Sequence, residues 1–227
     1  MTKTALVTGG AGGLGSATID AFLAAGWRVV APVRPGRQSA VPAGAVAVAA
    51  DLTVAADTAA VVAEAAGDPD RPLRAVVNLV GGFAAGGLIA DTPVEDFEAM
   101  LAMNLRPTYL TTAAALPHLI GAGGGSVVCV SSRAAVSPFP GAAGYVTAKA
   151  AVLAFAAAVD VEYRKRGVRC NTVLPSVIDT PANRAAMPDA DHGRWVSPAE
   201  IAATVLFLCS DESARVSGAR IPVYGQA

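Results

Sequence analysis

Short apolar runs alternate with longer helical segments along the whole chain, and this alternation limits the possible folds more than any other feature. The strand-like runs cover residues 4–8, 28–33, 45–50, 73–79, 126–131, 168–174 and 220–223. The helical patterns cover residues 13–25, 55–66, 93–119, 145–166 and 198–209. Repeated strand–helix units with right-handed crossovers form a parallel sheet covered by helices. We therefore predict an α/β fold, a doubly wound, mostly parallel seven-stranded sheet with helices on both faces, as one domain over residues 1–227.

The composition excludes several functional classes. Hydrophobic residues make up 53% of the chain and charged residues 15%, which is incompatible with a disordered chain. The net charge of −1 and the lack of a basic stripe argue against nucleic acid as the main partner. The longest apolar run, residues 150–159, is too short to cross a bilayer, so no membrane association is expected.

The cysteines and histidines indicate a compartment and the absence of a metal site. Cys129, Cys170 and Cys209 each have apolar neighbours, and their odd number favours reduced, buried thiols in a cytoplasmic protein. His118 and His192 are isolated, and no metal-binding spacing is present. We expect no metal.

A glycine-rich turn, TGGAGGLG at residues 8–15, joins the first strand to the first helix. Glycines at Gly9, Gly13 and Gly15 permit a tight turn and close approach of the backbone to a pyrophosphate, which the helix N-terminus attracts. An ordinary tight turn remains the alternative. At this position the motif favours a Rossmann-type dinucleotide site.

The end of the second strand bears on the choice of cofactor. An NAD-preferring site usually has Asp or Glu there, whereas this chain has Val33 followed by Arg34. Arg34, together with Arg37, is able to bind a 2′-phosphate through paired hydrogen bonds, which favours NADP(H) and leaves NAD(H) open. The alternative is that Arg34 is a solvated loop charge.

Tyr145 and Lys149 lie four residues apart on a predicted helix and therefore share one face. A nearby ammonium stabilises a phenolate and lowers the tyrosine pKa toward the range useful for acid–base catalysis. The pair alone is weak, because a surface contact explains it equally well. Ser132 ends the fifth strand and Asn104 lies in the 93–119 pattern, and the carboxyl edge of the sheet is where ligands bind in such folds.

Together these motifs resemble the short-chain dehydrogenase/reductase family over nearly the whole chain. The matching pieces are residues 8–15, Asp51-Leu52, Asn78, Asn104, Ser132, YVTAK at 145–149, and the segment with Asn171, Pro175 and Thr180. The resemblance implies an NAD(P)-dependent oxidoreductase acting on a small carbonyl or alcohol, and a homo-oligomer, dimer or tetramer, formed through helices 93–119 and 145–166.

The resemblance also implies a role for each matching residue. Tyr145 is the proton donor or base, Lys149 lowers its pKa and holds the nicotinamide ribose, Ser132 polarises the substrate oxygen, and Asn104 holds a water in a proton relay. The implied cofactor-binding residues are Gly9, Gly13, Leu14, Gly15, Arg34, Asp51, Leu52, Asn78, Tyr145, Lys149, Ile178 and Thr180.

Three departures keep alternatives open. Asn78-Leu79-Val80-Gly81 and Pro175-Ser176 differ from the family pattern, and the segment from 180 to 198 is short, which predicts a more open substrate site or one completed by another subunit. The segments at 81–87 and 179–195 are similar to quinonoid dihydropteridine reductases, with Phe83 and Trp195 as candidate pocket residues or simple packing. Two other functions therefore stay open: a quinonoid dihydropteridine reductase, and a sensor that binds the nucleotide without turning it over.

Overall fold

The computed structural model describes residues 2–226, so both end residues of the predicted 1–227 domain lie outside the described part. The strands are β1 (Thr4–Val7), β2 (Arg28–Val33), β3 (Val46–Ala49), β4 (Leu73–Asn78), β5 (Gly125–Val130), β6 (Val168–Pro175) and β7 (Arg220–Val223). They form one sheet in the order β3-β2-β1-β4-β5-β6-β7, and every pair is parallel. The predicted seven-stranded fold is confirmed, with a sheet that is parallel throughout.

Helices cover both faces of this sheet. They are α1 (Gly13–Ala24), α2 (Ala55–Ala66), α3 (Val94–Asn104), α4 (Arg106–Gly121), α5 (Ala143–Tyr163), α6 (Pro181–Ala186) and α7 (Pro198–Cys209). Helices α2, α4 and α5 share one core with the sheet, and α1 and α7 share the other. Successive strand residues face opposite sides, so Leu6 packs into the first core and Ala5 and Val7 into the second.

The predicted helix over residues 93–119 is divided into α3 and α4 at Leu105. Pro107 explains the division, because a proline ring lacks the amide hydrogen and clashes with the carbonyl four residues earlier. The division places Asn104 at the end of α3, where its side chain turns toward the sheet edge instead of following a continuous helix.

Helix α5 begins at Ala143, two residues before the predicted start, and a short 3₁₀ turn extends it to Arg166. The 24-residue segment is long and apolar enough by composition to cross a membrane. Val152, Ala156 and Val159 pack into the sheet core, however, which accounts for much of this hydrophobicity. The sheet-facing side of α5 fixes Tyr145 and Lys149 beside the carboxyl edge.

Candidate active site

One large cavity, about 1090 Å³ in volume, opens along the carboxyl edge of the sheet. Its wall runs from the turn after β1, past the ends of β2, β4, β5 and β6, to the start of α5. The sheet changes winding direction between β1 and β4, which is where open α/β sheets bind ligands. The candidate residues that line it are Gly9, Gly13, Leu14, Gly15, Arg34, Asp51, Leu52, Ser132, Tyr145, Lys149 and Ile178.

The glycine-rich turn leaves no room for side chains at its two tightest points. Gly9 has a φ of +72°, a conformation that favours glycine. A Cβ atom on Gly15 would lie 2.0 Å from the Gly9 carbonyl oxygen. No side chain caps the start of α1 after Gly12, so the first turn of this helix presents its amide groups and positive dipole end to the cavity.

Two arginines and one carboxylate mark the far end of the cavity. Arg34 and Arg37 are exposed and line it just after β2. The Asp51 carboxylate accepts hydrogen bonds from the Thr53 hydroxyl at 2.7 Å and the Thr53 amide at 2.9 Å. These bonds hold the pKa of Asp51 below its usual value, and the charge of Arg34 contributes in the same direction. This end of the cavity therefore combines a fixed anion with two free cations.

Tyr145 and Ser132 meet at the other end of the cavity. The Ser132 Oγ accepts a hydrogen bond from the Ala134 amide at 3.1 Å, which leaves its own hydrogen available to donate to Tyr145 or to a ligand. Burial raises the pKa of Tyr145, and the neighbouring Ser132 hydroxyl opposes that shift. A lowered tyrosine pKa was expected from the sequence, and this expectation is wrong because the loss of hydration on burial outweighs the hydrogen bond with Ser132.

Lys149 is a buried ammonium. Its Nζ donates to the Val130 carbonyl oxygen at 3.2 Å and lies 6.0 Å from the centre of the Tyr145 ring. The Ser131 hydroxyl donates to the Lys149 carbonyl at 2.7 Å and so fixes α5 against the end of β5. Burial lowers the pKa of Lys149 to about 8, because the charged form loses its hydration. This lysine can exchange its proton near neutral pH.

Asn104 is fully buried and does not line the cavity. Its Nδ2 donates to the carbonyls of Gly82 and Met100 at 3.1 and 3.0 Å, and its Oδ1 accepts from the Gly82 amide at 3.2 Å. A Cβ atom on Gly81 would lie 2.5 Å from Asn104 Oδ1 and 3.0 Å from Lys149 Nζ. The amide of Asn104 and the ammonium of Lys149 are therefore close neighbours, separated by the Gly81 backbone.

Three further candidates take positions that differ in their access to the cavity. Asn78 is buried behind the wall, where its Nδ2 donates to the Thr112 hydroxyl at 3.0 Å, so a direct side-chain contact with a cofactor is not available to it. The Thr180 hydroxyl caps α6, while its methyl group lies 2.9 Å from a Cβ placed on Gly13. Ile178 lines the cavity directly.

The sequence analysis missed the aromatic wall beside Tyr145. Phe83 packs edge-on against the Tyr145 ring with centroids 5.0 Å apart, and Phe139 lies 6.3 Å from Phe83. Phe83 was a candidate, but Phe139 was not; its place between Ser132 and Tyr145 was the available signal. Trp195 does not line the cavity and packs on His192 instead, so the packing alternative holds for this residue.

Arg133 also lines the cavity and was not predicted. Its guanidinium lies over the Tyr224 ring at 5.4 Å from the centroid, so a cation stands directly beside Ser132. Within residues 2–226, no group of three or more His, Cys, Asp or Glu side chains is arranged to hold a metal ion. Hydroxyl, ammonium and guanidinium groups line this end of the cavity.

Comparison with known proteins agrees with this geometry. The profile of the short chain dehydrogenase family matches residues 3–191. A 2-(R)-hydroxypropyl-CoM dehydrogenase from Xanthobacter autotrophicus is 32% identical, over 99% of this chain and 98% of the relative. A 2,5-dichloro-2,5-cyclohexadiene-1,4-diol dehydrogenase from Sphingobium indicum is 33% identical, over 98% of this chain and 95% of the relative.

A solved structure shares the whole architecture. The structure of a short-chain type dehydrogenase/reductase from Mycobacterium ulcerans superimposes with a TM-score of 0.91 and 27% identity, and the match covers 99% of this chain and 89% of the other. The family profile, the full-length relatives and the fold agree. The chain belongs to the short-chain dehydrogenase family and is an oxidoreductase.

Proposed function

We propose that this enzyme transfers hydride between NADP(H) and a small carbonyl or alcohol substrate, using Tyr145 as the proton donor or acceptor. One observation carries the proposal: Ser132, Tyr145 and Lys149 line the same cavity as the uncapped glycine turn. A pyrophosphate on the helix N-terminus and a reactive group beside Tyr145 therefore occupy one continuous space. The bound nicotinamide supplies or accepts the hydride, and the protein supplies position and proton transfer.

In this proposal the hydroxyl groups of Ser132 and Tyr145 have different roles in proton transfer. The hydroxyl hydrogen of Ser132 donates to the substrate oxygen and polarises the carbonyl. Tyr145 then gives its proton to that oxygen during reduction, or removes it during alcohol oxidation. Because burial raises the pKa of Tyr145, its protonated form dominates at neutral pH, which suits the donor role.

Lys149 controls the proton on Tyr145 in this proposal. Its pKa of about 8 lets it hold a proton at neutral pH and release it readily. The Asn104 amide fixes the Gly81–Gly82 backbone beside this ammonium, so Asn104 acts here as a positioning residue. A water relay through Asn104 stays a prediction of the family resemblance.

The preference for NADP(H) is supported by the charges after β2. Arg34 and Arg37 line the cavity without a carboxylate partner among the described residues, and Asp51 is already bonded to Thr53. A 2′-phosphate would gain two guanidinium partners, whereas a 2′-hydroxyl has no free acidic partner at the end of β2. NAD(H) remains the alternative cofactor.

The substrate end of the cavity is apolar next to the polar reaction centre. Phe83, Phe139 and Met187 line it, which favours a compact substrate with an apolar body. The two relatives are named as dehydrogenases of 2-(R)-hydroxypropyl-CoM and of 2,5-dichloro-2,5-cyclohexadiene-1,4-diol, and these hydroxyl-bearing substrates support an alcohol–carbonyl pair as the reacting group.

A cofactor and substrate screen tests the proposal. The enzyme should oxidise NADPH in the presence of at least one member of a panel of aldehydes, ketones and cyclic diketones, and Tyr145→Phe should not. Turnover of quinonoid pterins alone would instead assign the enzyme to the pterin reductase alternative. Cofactor binding without turnover of any compound would favour the sensor.

We also propose a homo-oligomer in the cytoplasm. Tyr109 on α4 and Val161 on α5 are 54% and 73% exposed, so the two outer helices present apolar surface to a second copy. The three cysteines are free and buried, as expected in a reducing compartment. Light scattering should give a dimer or tetramer mass, and Val161→Lys should reduce it; a monomeric wild type would contradict the assembly.

A further inference from the structure

A second cavity, about 460 Å³ in volume, lies at the amino edge of the sheet, opposite the active site. It is formed by Lys3 before β1, by the first residues of β4, β5 and β6, by the 3₁₀ turn after α5 and by the segment after α7. Ligand-binding cavities commonly have about 300–1,000 Å³, so this one is large enough for a small molecule. Nothing in the proposed reaction uses it.

Positively charged side chains outnumber negatively charged ones in this cavity. Its charged lining residues are Lys3, Arg74, Arg164, Arg169, Arg215 and Asp211. Lys3 is paired with Asp211 at 2.6 Å, and Arg164 is paired with Asp160. In a chain whose net charge is −1, the local excess of positive charge is not a consequence of overall composition.

Three of these cations have no carboxylate within salt-bridge distance in the described part of the chain: Arg74, Arg169 and Arg215. The Arg169 guanidinium donates to the carbonyls of Val216 and Ser210 at 3.1 and 3.2 Å, and Arg74 donates to the Ala122 carbonyl. These bonds use only some of the five donors on each guanidinium and fix the groups in place. Arg215 is exposed at the rim.

The thiol in this cavity does not offset the positive charge. Cys209 lines the wall, but burial raises the pKa of its thiol to about 12, so it stays neutral. Burial also lowers the pKa of Arg169, although an arginine remains protonated at physiological pH. The exposed Asp211 carboxylate offsets part of the charge of Arg74 and Arg169, but it is bound to Lys3. The half-buried guanidinium groups of Arg74 and Arg169 keep free donors, which attract oxyanions through charge-assisted, paired hydrogen bonds.

We propose that the amino-edge cavity is a binding site for a small anion that carries a phosphoryl group, held by Arg74, Arg169 and Arg215. The site is separate from the cofactor cavity, because β5 and β6 run between them from Gly125 and Val168 to Val130 and Pro175. The two cavities therefore lie at opposite ends of β5 and β6.

Inorganic pyrophosphate is a suitable probe, titrated into the full-length enzyme by calorimetry at low ionic strength. A saturating concentration of NADP⁺ keeps the probe out of the carboxyl-edge cavity. We expect one pyrophosphate per chain, with an affinity that falls as sodium chloride is added. Adenosine 5′-diphosphate, titrated in parallel, separates the two sources of the phosphoryl group: tighter binding than pyrophosphate assigns a nucleotide, and equal or weaker binding assigns a free phosphate.

Four variants locate the binding. Arg74→Gln and Arg215→Gln should each weaken pyrophosphate binding by about tenfold or more, because each removes a charged donor. Arg215 is exposed, so its replacement leaves the core intact. Arg166→Gln removes an exposed arginine that does not line the cavity, and it should not change the affinity. Arg34→Gln alters only the cofactor cavity and should not change the affinity either, provided that the NADP⁺ concentration is raised to saturate this variant.

The result that overturns the proposal is equally specific. Absence of pyrophosphate binding by the wild type would refute it, as would equal affinities for the wild type, Arg74→Gln and Arg215→Gln. If pyrophosphate binds only when NADP⁺ is omitted, and Arg34→Gln loses this binding, the anion belongs to the cofactor cavity instead. Because binding is measured without turnover, these outcomes are independent of the reaction proposed for the carboxyl edge.

Discussion

The two edges of the sheet each hold a partly or fully buried cation that forms no salt bridge among the described residues, but they use different amino acids. At the carboxyl edge the cation is Lys149, whose pKa burial lowers to about 8. At the amino edge it is Arg169, which two backbone carbonyls hold in place. A lysine gives up its proton when it is buried, whereas an arginine keeps its charge. The comparison separates an edge suited to proton transfer from an edge suited to holding an anion.

Removal of the Tyr145 hydroxyl should break the chemistry at the carboxyl edge alone. Tyr145→Phe should lower kcat/KM by about 10²–10⁴-fold, the range typical of general acid–base catalysis. Cofactor binding, followed by fluorescence of NADPH, should persist because the glycine turn is untouched. Tyr109→Phe, an exposed tyrosine on α4, is the matched control and should keep full activity. A Tyr145→Phe enzyme that retains its turnover would exclude the proposed mechanism.

The second prediction concerns the pH dependence of stability at Lys149. The folded chain releases this proton near pH 8 and the unfolded chain near 10.5, so this group destabilises the fold fully below pH 8. The stability of the wild type relative to Lys149→Met should therefore rise as pH increases from about 8 to about 10.5. At pH 7 the variant should be more stable by up to about 3 kcal/mol, while losing activity.

Urea unfolding of the wild type and Lys149→Met at pH 7, 8, 9 and 10 measures this difference. Titrating groups that do not interact with Lys149 cancel, because both proteins contain them, and a Cys129→Ser background removes the thiol that interacts with the Lys149 charge. A difference in unfolding free energy that does not change with pH would show that the lysine is protonated to the same extent in both states, and would remove its assignment as a proton-exchanging group.

Arg169 should behave in the opposite way at the amino edge. Arg169→Met removes two charge-assisted hydrogen bonds to the carbonyls of Ser210 and Val216, so the free energy of unfolding should fall by about 1–3 kcal/mol. This loss should be the same from pH 7 to 10, because the guanidinium stays charged in both states. Arg166→Met, an exposed residue, should have little effect. If Arg169→Met were more stable than the wild type, Arg169 would destabilise the fold as Lys149 does, and the proposed difference between the two edges would be wrong.

The two edges also differ in how much of their structure could be predicted from the sequence. The seven strands and the carboxyl-edge residues could be predicted, because parallel strands place all their carboxyl ends together whatever the side chains are. Tyr145 and Lys149 share a helix face by local periodicity alone. The division at Leu105 could have been inferred from Pro107, but the helical pattern on either side concealed it.

Other features depend on contacts that no local pattern specifies. Asn78 ends a strand at the right edge, yet its side chain packs against Thr112 behind the cavity wall. The amino-edge cavity brings together Arg74, Arg169 and Arg215, which belong to different strands and loops. The tyrosine pKa rises because burial, to which the packing of Phe83 contributes, outweighs the opposing hydrogen bond with Ser132.

The smallest expected effect lies at the far end of the carboxyl-edge cavity. Arg34→Ala should weaken NADPH binding by about tenfold or more through loss of a charge-assisted contact with the 2′-phosphate. NADH binding should change little, because a 2′-hydroxyl gains nothing from a guanidinium. Titration of both cofactors into the wild type, Arg34→Ala and the control Arg166→Ala measures the selectivity. Equal losses for NADPH and NADH would make Arg34 a general electrostatic contributor, and the preference would then have to arise from Arg37 or from the backbone of the turn after β2.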